Sequence, residues 1–274
     1  MKNQVTNLTF LIPVRHPANS HDWARLKANI SETVASIDSQ TNQNWRGVII
    51  ANEGSDLPQL PERFDVEWVD FSPNNMHEKH GQSREEFLDA FRFDKGRRVL
   101  KGMLRARHSR FFMIVDDDDF VSSQITQFVV DHPHSNGWTV DRGYVWDDGG
   151  ALLLQHDDFN HICGTSLIIR TDLYALPNSF EEASPDYIKS MLGGHYKVGD
   201  YMAERGTPLA TLPFRGAIYR VGQQGSHSQT PSILKKYFFN WESIRHPRQL
   251  VRDLQRLRLV NRTAKKEFFG FSSS

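Results

Sequence analysis

The chain has 274 residues and a mass of 31.6 kDa, with 38% hydrophobic and 11% aromatic residues. This balance excludes disordered, collagen-like and low-complexity proteins, and the length suits one large domain or two small ones. The 33 basic and 33 acidic residues cancel, but residues 235–274 carry ten Lys and Arg against three Asp and Glu, a net charge of +7. A single cysteine excludes a disulfide framework and four-cysteine metal sites, so any metal must be held by Asp, Glu or His. The N-terminus lacks the pattern of a secretory signal, and no apolar run is long enough to cross a bilayer, so we expect a soluble or at most peripheral protein.

The N-terminal segments predict a strand, a helix and a second strand. An apolar run at 8–12 is broken by Pro13, which is typical of a buried strand that leads into a loop. Apolar residues then recur at helical spacing from Trp23, with Asp22 as the expected N-terminal cap. A second apolar run at 45–51 ends in a polar turn. Parallel sheets built from such units bind ligands beyond the carboxyl ends of their strands.

The same pattern continues through the middle of the chain. We expect a third strand at 66–71, a loop at 72–82, a helix with its apolar stripe at 99–106, and a fourth strand at 111–115. After Gly137 the pattern changes to short alternating segments with a hairpin turn at Gly149–Gly150, which we expect to extend the first sheet. The predicted fold class is therefore α/β, with a mostly parallel central sheet flanked by helices.

Four consecutive aspartates, Asp116 to Asp119, follow the fourth predicted strand. Carboxylates at the end of a buried strand are costly unless a cation neutralises them. Mg²⁺ and Mn²⁺ prefer such hard oxygen ligands and share them with substrate phosphates. Alternate residues point to the same side of an extended chain, so Asp116 and Asp118 are expected to act together. The alternative is a solvated acidic loop that caps the next helix.

The apolar run followed by Asp116, Asp117, Asp118 and Asp119 resembles the strand-terminal aspartate motif of GT-A fold glycosyltransferases. The resemblance is greatest to the inverting, family 2-like enzymes that use nucleotide-diphosphate sugars. It implies a GT-A-like catalytic domain over residues 1–230 and a basic helical C-terminal extension over residues 231–274. It further implies that Asp116, with Asp117, contacts the nucleotide sugar and that Asp118 ligates a Mn²⁺ or Mg²⁺ ion that bridges the diphosphate.

The resemblance extends to segments that precede the aspartates. Pro13 and Arg15 stand at the end of the first strand, and Glu53 stands where the family has an aspartate that recognises the nucleoside. Lys95 and Arg97 lie where the family has a small and basic element that opens a helix, and we expect them beside the diphosphate at a helix N-terminus. The alternatives are ordinary turn formers for Pro13 and Glu53 and a solvated basic helix face for Lys95 and Arg97.

Two residues of the second half complete the site that the resemblance implies. Asp200 matches the carboxylate that acts as general base on the acceptor hydroxyl, which implies inversion; its alternative role is to cap a helix that ends at Gly206. His227, in a Gly- and Ser-rich segment, matches the histidine that many of these enzymes add to the metal, and His195 is the second choice. Cys163 is expected to be a small buried residue.

The C-terminal tail spaces Leu250, Val251, Leu254, Leu257 and Val260 as one basic amphipathic helix. Such a helix either packs on its own domain or binds an anionic membrane surface where lipid-linked acceptors reside. The expected location is the cytoplasm, including the inner face of a membrane. The acidic charge of residues 1–234 speaks against nucleic acid as a partner.

The predicted function is the transfer of a sugar from a UDP-, GDP- or dTDP-linked donor to a hydroxyl of a glycan or lipid-linked acceptor, in polysaccharide or glycoconjugate synthesis. A sugar nucleotidyltransferase would show a glycine-rich loop after the first strand, and the residues after Pro13 contain no glycine. A haloacid-dehalogenase-type phosphatase would have Thr or Val where Phe120 stands. A non-catalytic protein of the same fold that binds nucleotide sugars or carbohydrate remains an alternative, which donor turnover distinguishes from an enzyme.

Overall fold

The chain forms two β-sheets, and helices cover both faces of the larger one. The computed structural model describes residues 6–76, 83–222 and 247–270. The strands are β1 (Leu8–Pro13), β2 (Trp45–Asn52), β3 (Phe64–Val69), β4 (Phe111–Ile114), β5 (Phe120–Val121), β6 (Gly137–Thr139), β7 (Gly143–Asp147), β8 (Leu152–His156), β9 (Leu167–Arg170), β10 (Ala210–Thr211), β11 (Ala217–Val221) and β12 (Leu257–Leu259). The helices are α1 (Trp23–Asp38), α2 (Arg84–Arg105), α3 (Ile125–Asp131), α4 (Pro185–Tyr187, continued by a π-helical turn at Ile188–Leu192), α5 (Val198–Glu204), α6 (Pro247–Gln255) and α7 (Arg262–Phe268). Short 3-10 turns lie at Pro17–Asn19, Phe159–His161 and Thr171–Tyr174.

The larger sheet has the strand order β3-β2-β1-β4-β9-β6-β10. β1 pairs in parallel with β2 and β4, and β2 pairs in parallel with β3, whereas β9 is antiparallel to its neighbours β4 and β6. The predicted strand-helix-strand unit is β1-α1-β2, and Asp22 caps α1 by accepting a hydrogen bond from the backbone N–H of Arg25 (2.8 Å). The predicted fold class, a mostly parallel sheet flanked by helices, is confirmed.

Both faces of β1 are buried, which explains why its sequence is continuously apolar. Leu8, Phe10 and Ile12 belong to the cluster that includes the apolar stripe of α1. Leu11, on the opposite face, packs with the apolar residues of α2. A strand covered on both faces needs no polar residue at alternate positions. The first sheet is therefore the middle layer between α1 and α2.

The helix α2 begins at Arg84, eleven residues before Lys95, where the resemblance implies that a helix opens. Ser83 and Glu86 form a capping box, in which the backbone N–H of Glu86 donates to Ser83 Oγ (3.2 Å) and the backbone N–H of Ser83 donates to Glu86 Oε2 (2.8 Å). This reciprocal cap satisfies the first N–H groups of the helix and fixes its start. Lys95 consequently lies in the middle of α2, and the expectation that it stands at a helix N-terminus is wrong.

The second half of the chain does not simply extend the first sheet. β6, β9 and β10 do so, but β5, β7, β8, β11 and β12 form a separate sheet in the order β12-β8-β7-β11-β5. This second sheet has an apolar cluster of its own, in which Phe120, Trp146, Leu153 and Ile218 pack against Phe268 of α7. The hairpin predicted at Gly149–Gly150 joins β7 to β8, with Gly149 at a φ of 73°.

The helix in the C-terminal tail is shorter than predicted. α6 ends at Gln255, and Leu257–Leu259 form β12, which pairs antiparallel to β8. The backbone groups of β8 provide this pairing, so Leu257 faces a cluster of the second sheet and does not continue a helical stripe. No helix among the described residues has the length and apolar character needed to span a bilayer.

A test of this packing uses Gly96, in the interior of α2. A β-carbon at Gly96 would collide with the backbone carbonyl oxygen of Ile188, which belongs to the π-helical turn. Alanine usually stabilises a helix interior by about 0.5–1 kcal/mol relative to glycine. We nevertheless expect Gly96→Ala to lower the free energy of unfolding by about 1–3 kcal/mol, because backbone atoms cannot move aside as a side chain does. Urea denaturation measures this difference.

The matched control is Gly199→Ala in α5, where the nearest atom to a β-carbon is Thr139 Cγ2 at 4.0 Å. This variant should be neutral or stabilising. A neutral or stabilising effect of Gly96→Ala as well would contradict the close contact between α2 and the π-helical turn.

Candidate active site

A cavity of about 340 Å³ opens at the carboxyl ends of β1 and β4. This is the edge of a parallel sheet at which ligands bind in open α/β folds. Its lining comes from the segments after β1 and β4, from one face of α2, from two loops and from β11: Pro13, Arg15, Phe87, Leu88, Phe91, Arg92, Asp94, Lys95, Arg98, Asp116, Asp117, Asp118, Ile162, Gly164, Gly193, Gly194, His195, Tyr196 and Tyr219. Six of the ten residues predicted to bind donor or metal or to catalyse line this cavity: Pro13, Arg15, Lys95, Asp116, Asp117 and Asp118. Of the other four, Glu53, Arg97 and Asp200 are not in the lining, and His227 lies outside the described residues.

The four aspartates form a tight turn after β4. The backbone N–H of Asp119 donates to the carbonyl oxygen of Asp116 (3.2 Å), which reverses the chain direction before β5. Asp116, Asp117 and Asp118 line the cavity, whereas Asp119 is completely buried. The turn thus separates three carboxylates that face the cavity from one that faces the protein interior.

The carboxylate of Asp119 is held by two separate segments of the chain, residues 163–165 and the strand β11. Its carboxylate accepts hydrogen bonds from Thr165 Oγ1 (2.6 Å), Cys163 Sγ (3.1 Å) and the backbone N–H of Arg220 (3.3 Å). Burial and the neighbouring Asp116 raise the pKa of Asp119 to about 7, although these hydrogen bonds act in the opposite direction. Asp119 therefore fixes the turn from behind and does not reach the cavity.

Cys163 has the structural role predicted for it. The side chain is buried, and burial together with Asp119 raises the pKa of its thiol well above the ordinary value. A thiol in this environment stays protonated at neutral pH and donates to the carboxylate. The geometry gives it no activated nucleophilic form.

Lys95 reaches from α2 to the first aspartate of the turn. Its ammonium group forms an ion pair with Asp116 Oδ1, and the backbone N–H of Asp116 donates to Thr165 Oγ1 (3.0 Å). Burial acts to lower the pKa of Lys95, but the Asp116 carboxylate outweighs it and the pKa is raised. A β-carbon at Gly164 would lie 2.7 Å from Asp116 Oδ2 and 2.9 Å from Lys95 Nζ, so only glycine leaves room for this pair.

Arg15 provides a second cation beside the turn. Its guanidinium lies 3.6 Å from Asp117 Oδ1. Burial nevertheless raises the pKa of Asp117, and burial with repulsion from the three other aspartates raises the pKa of Asp118 well above its usual value. Within the described part of the chain, Asp118 has no ion-pair partner. Among the carboxylates that face the cavity, that of Asp118 is therefore the one whose charge the cations of the described residues offset least.

The predicted metal ligands cannot all be placed. Asp118 lines the cavity, but His227 lies outside the described residues. Across residues 6–76, 83–222 and 247–270, no three His, Cys, Asp or Glu side chains are grouped to hold a metal ion. The carboxylates of Asp117 and Asp118 do fit the hard oxygen donors that Mg²⁺ and Mn²⁺ prefer, since these ions use one or two carboxylates with phosphate oxygens and water. The donor set is compatible with a cation that a bound diphosphate helps to hold.

The basic side chains of α2 point in different directions. Arg98, only 1% exposed, lines the cavity and donates to Asn52 Oδ1 (2.7 Å), while its Nε lies 3.4 Å from Asp94 Oδ2. Arg97 extends outside the cavity lining and donates to the carbonyl oxygen of Ser72 (2.7 Å). Of the two basic residues predicted beside the diphosphate, Lys95 is at the cavity and Arg97 is not among the residues that line it. Arg98 takes the place expected of Arg97.

Two further predicted residues lie away from the cavity lining. Glu53 is exposed in the turn after β2, and it is the preceding Asn52 that is buried and joined to Arg98. Asp200 is exposed in the first turn of α5, where Lys197 is the N-cap and makes no side-chain capping hydrogen bond. The roles assigned to Glu53 and Asp200 stay predictions.

The other half of the cavity is apolar. Phe87, Leu88 and Phe91 line it from the first turns of α2, and the loop after the π-helical turn adds His195 and Tyr196. Burial lowers the pKa of His195 to about 4, and Lys95 acts in the same direction. His195 Nε2 is buried without a hydrogen-bond partner in the described structure. The imidazole is therefore neutral at physiological pH.

Sequence reasoning missed several residues that shape the cavity. Arg98 depends on Asn52, 46 positions away, and no local pattern predicts such a pair. Gly164 and Thr165 follow a cysteine in an irregular segment, so their role appears only once β9 brings them beside the aspartate turn. His195 carried a signal, since it follows Gly193–Gly194, but the signal pointed to a metal ligand.

The comparisons with solved structures find TarS of S. aureus. The TarS structure in complex with UDP has a TM-score of 0.46 and 12% identity over 79% of this chain and 61% of that chain. The TarS complex with UDP-GlcNAc has a TM-score of 0.44 and 12% identity, over 91% of this chain and 72% of that chain. Rv0371C of Mycobacterium tuberculosis, in complex with manganese, has a TM-score of 0.35 and 10% identity, over 82% of this chain and 97% of that chain.

This chain covers less than two thirds of the length of the first TarS structure. No family model and no curated protein matches the sequence. The chain is similar in structure to these proteins, and at such low values the similarity carries no statement about activity.

The role of Asp119 is tested with Thr165→Val. This change removes the 2.6 Å hydrogen bond to the buried carboxylate and the acceptor for the backbone N–H of Asp116. We expect the free energy of unfolding to fall by about 2–4 kcal/mol, because a buried charged acceptor loses a donor. Thr126→Val is the control, since Thr126 Oγ1 is buried without a hydrogen-bond partner among the described residues. Urea denaturation that showed equal effects for both variants would contradict the structural role of Asp119.

Proposed function

We propose that this protein transfers a sugar from a nucleotide-diphosphate donor to a hydroxyl group of an acceptor. The observation that carries the proposal is the grouping of Asp116, Asp117 and Asp118 with Lys95 and Arg15 around one cavity at the carboxyl ends of β1 and β4. Alternating positive and negative groups of this kind suit a ligand that is itself an anion accompanied by a cation. A nucleotide-diphosphate sugar with a divalent metal is such a ligand.

The basic residues would bind the diphosphate. Arg15 and Lys95 are both largely buried at the cavity, where a positive charge interacts more strongly with an anion than it does in bulk water. Their ion pairs with Asp117 and Asp116 hold the two side chains in place before the ligand binds. Pro13, which has a fixed φ and no N–H, ends β1 two residues before Arg15. Glu53 remains the proposed contact to the nucleoside.

Asp118 would hold the cation, as Mn²⁺ or Mg²⁺, together with oxygens of the diphosphate. When bound, the ion would stabilise the negative charge of the departing diphosphate as a Lewis acid. The raised pKa of Asp118 supports this role, because it reflects negative charge that burial and neighbouring carboxylates leave poorly compensated. His227 is the proposed further ligand.

On the acceptor side we retain Asp200 as the proposed general base, which would make the reaction inverting. The acceptor would be a glycan or a lipid-linked saccharide, in the synthesis of a polysaccharide or another glycoconjugate. Contact with an anionic membrane surface is part of the same proposal. Its support is the exposure of Val251, Leu254 and Leu259 on α6 and β12, beside Arg252 and Arg258.

The donor assignment is tested by calorimetric titration of UDP-, GDP- and dTDP-linked sugars with and without Mn²⁺. At least one donor should bind, and Mn²⁺ should tighten its binding about tenfold or more. Asp118→Asn should remove most of the effect of Mn²⁺, because the amide keeps the shape of the side chain and loses its charge. Asp38→Asn, exposed at the end of α1, is the control and should behave as the wild type.

If none of the donors bound to the wild type at any Mn²⁺ concentration, the proposal would be refuted. Donor binding without turnover on any acceptor or water would favour the non-catalytic alternative.

The general base is tested with Asp200→Asn. We expect kcat to fall by about 10²–10⁴-fold with donor affinity nearly unchanged, because the carboxylate would act on the acceptor and not on the donor. Glu204→Gln, one helical turn later in α5, is the matched control. Equal rates for Asp200→Asn and the wild type would remove Asp200 from the mechanism.

A further inference from the structure

The helix α2 spans the cavity from a charged end to an apolar end. Residues from Phe87 to Arg98 line the cavity, and at 1.5 Å per residue they cover about 16 Å along the helix axis. Asp94, Lys95 and Arg98 form the charged end, next to the aspartate turn. Phe91 lies one helical turn away from Lys95, about 6 Å along the axis, and Phe87 lies one turn further. A diphosphate bound at Lys95 would leave the apolar end of the cavity free to bind another part of the substrates.

The loop that follows the π-helical turn packs against this apolar end. A β-carbon at Gly193 would collide with the backbone carbonyl oxygen of Arg92, so the loop and α2 are in direct backbone contact. His195 turns inward and is mostly buried, as its lowered pKa reflects. The next residue, Tyr196, lines the cavity and is 64% exposed.

The ring of Tyr196 is held at the cavity rim. His161, in the 3-10 turn Phe159–His161, contacts it edge-on with the ring centroids 5.4 Å apart and the planes at 67°. This contact restricts one edge of the ring and leaves most of its surface to solvent. An exposed aromatic ring beside a cavity with apolar walls is a surface on which the apolar part of a ligand can pack.

We propose that Tyr196 forms the acceptor subsite, where its ring stacks on the apolar face of a saccharide. The inference rests on the proposed function and adds to it the residue that holds the acceptor saccharide. A pyranose ring has one face of C–H groups and a periphery of hydroxyl groups. The exposed ring of Tyr196 matches the first. Two polar side chains match the second: His161, in contact with the ring, and Arg92, in the cavity lining. A purely hydrocarbon ligand would leave these polar groups desolvated without hydrogen bonds.

The test is saturation-transfer NMR with the full chain, UDP and Mn²⁺, and with cellotriose, chitotriose and lactose as probes. At least one probe should receive saturation mainly at the C–H protons of one ring face. Tyr196→Phe should keep this binding, because the stacking surface is retained, and Tyr196→Ala should weaken it about tenfold. Tyr201→Ala is the matched control, because Tyr201 is also exposed (40%) but does not line the cavity. UDP affinity, measured for every variant, reports whether the donor end is intact.

Three results would overturn the inference. One is UDP binding without binding of any saccharide probe. Another is a loss in Tyr196→Phe as large as that in Tyr196→Ala, which would mean that the hydroxyl group and not the ring face binds. The third is a loss of UDP affinity in Tyr196→Ala, which would place the nucleobase on the ring. Failure of UDP to bind the wild type would instead exclude a UDP-linked donor, and saccharide binding that depends on Tyr196 would still support the subsite.

Discussion

A single buried carboxylate, that of Asp119, determines how the candidate site is assembled. It accepts hydrogen bonds from Thr165, from Cys163 and from the backbone of Arg220, and the carbonyl oxygen of Asp119 accepts one from Thr33 of α1 (2.9 Å). The turn after β4 is thereby joined to the segment before β9, to the second sheet and to the first helix. Burying a carboxylate is unfavourable, as its pKa of about 7 shows, and only the complete set of donors makes it tolerable. With Asp119 fixed inward, the three preceding aspartates face the cavity.

The charges of those three aspartates are compensated to different degrees. Lys95 pairs with Asp116 and Arg15 lies beside Asp117, so the protein neutralises much of its own acidic turn. Among the described residues, Asp118 is therefore the carboxylate of the turn whose charge an added cation would offset. A weakly compensated carboxylate next to two fixed cations suits a ligand of mixed charge, in which a divalent ion and a diphosphate enter together. The same arrangement explains why the described residues alone do not form a complete metal site.

Local patterns predicted the layers of the fold but not the contacts between distant segments. The apolar runs of β1 and β2 and the cap at Asp22 depend on neighbouring residues, and each is found where it was expected. The start of α2 was misplaced although the capping box at Ser83 and the apolar residues Phe87 and Phe91 mark it locally, because the charged stretch 92–98 separates them from the apolar stripe at 99–106. The second sheet and the ring of Tyr196 depend on packing between segments far apart in the chain. Such packing has no period that a sequence can show, so the charged end of the cavity was predictable from the aspartates, whereas its apolar end was not.

The central claim is that Asp118 and a bound diphosphate together hold a divalent cation in this cavity. The most direct measurement is a crystal structure with Mn²⁺ and UDP, with anomalous diffraction recorded at the manganese edge. We expect one anomalous peak in the cavity, about 2.0–2.3 Å from a carboxylate oxygen of Asp118 and from oxygens of the diphosphate, with Lys95 and Arg15 beside the phosphates. UDP bound elsewhere, or a manganese peak in this cavity out of reach of Asp118, would contradict the claim.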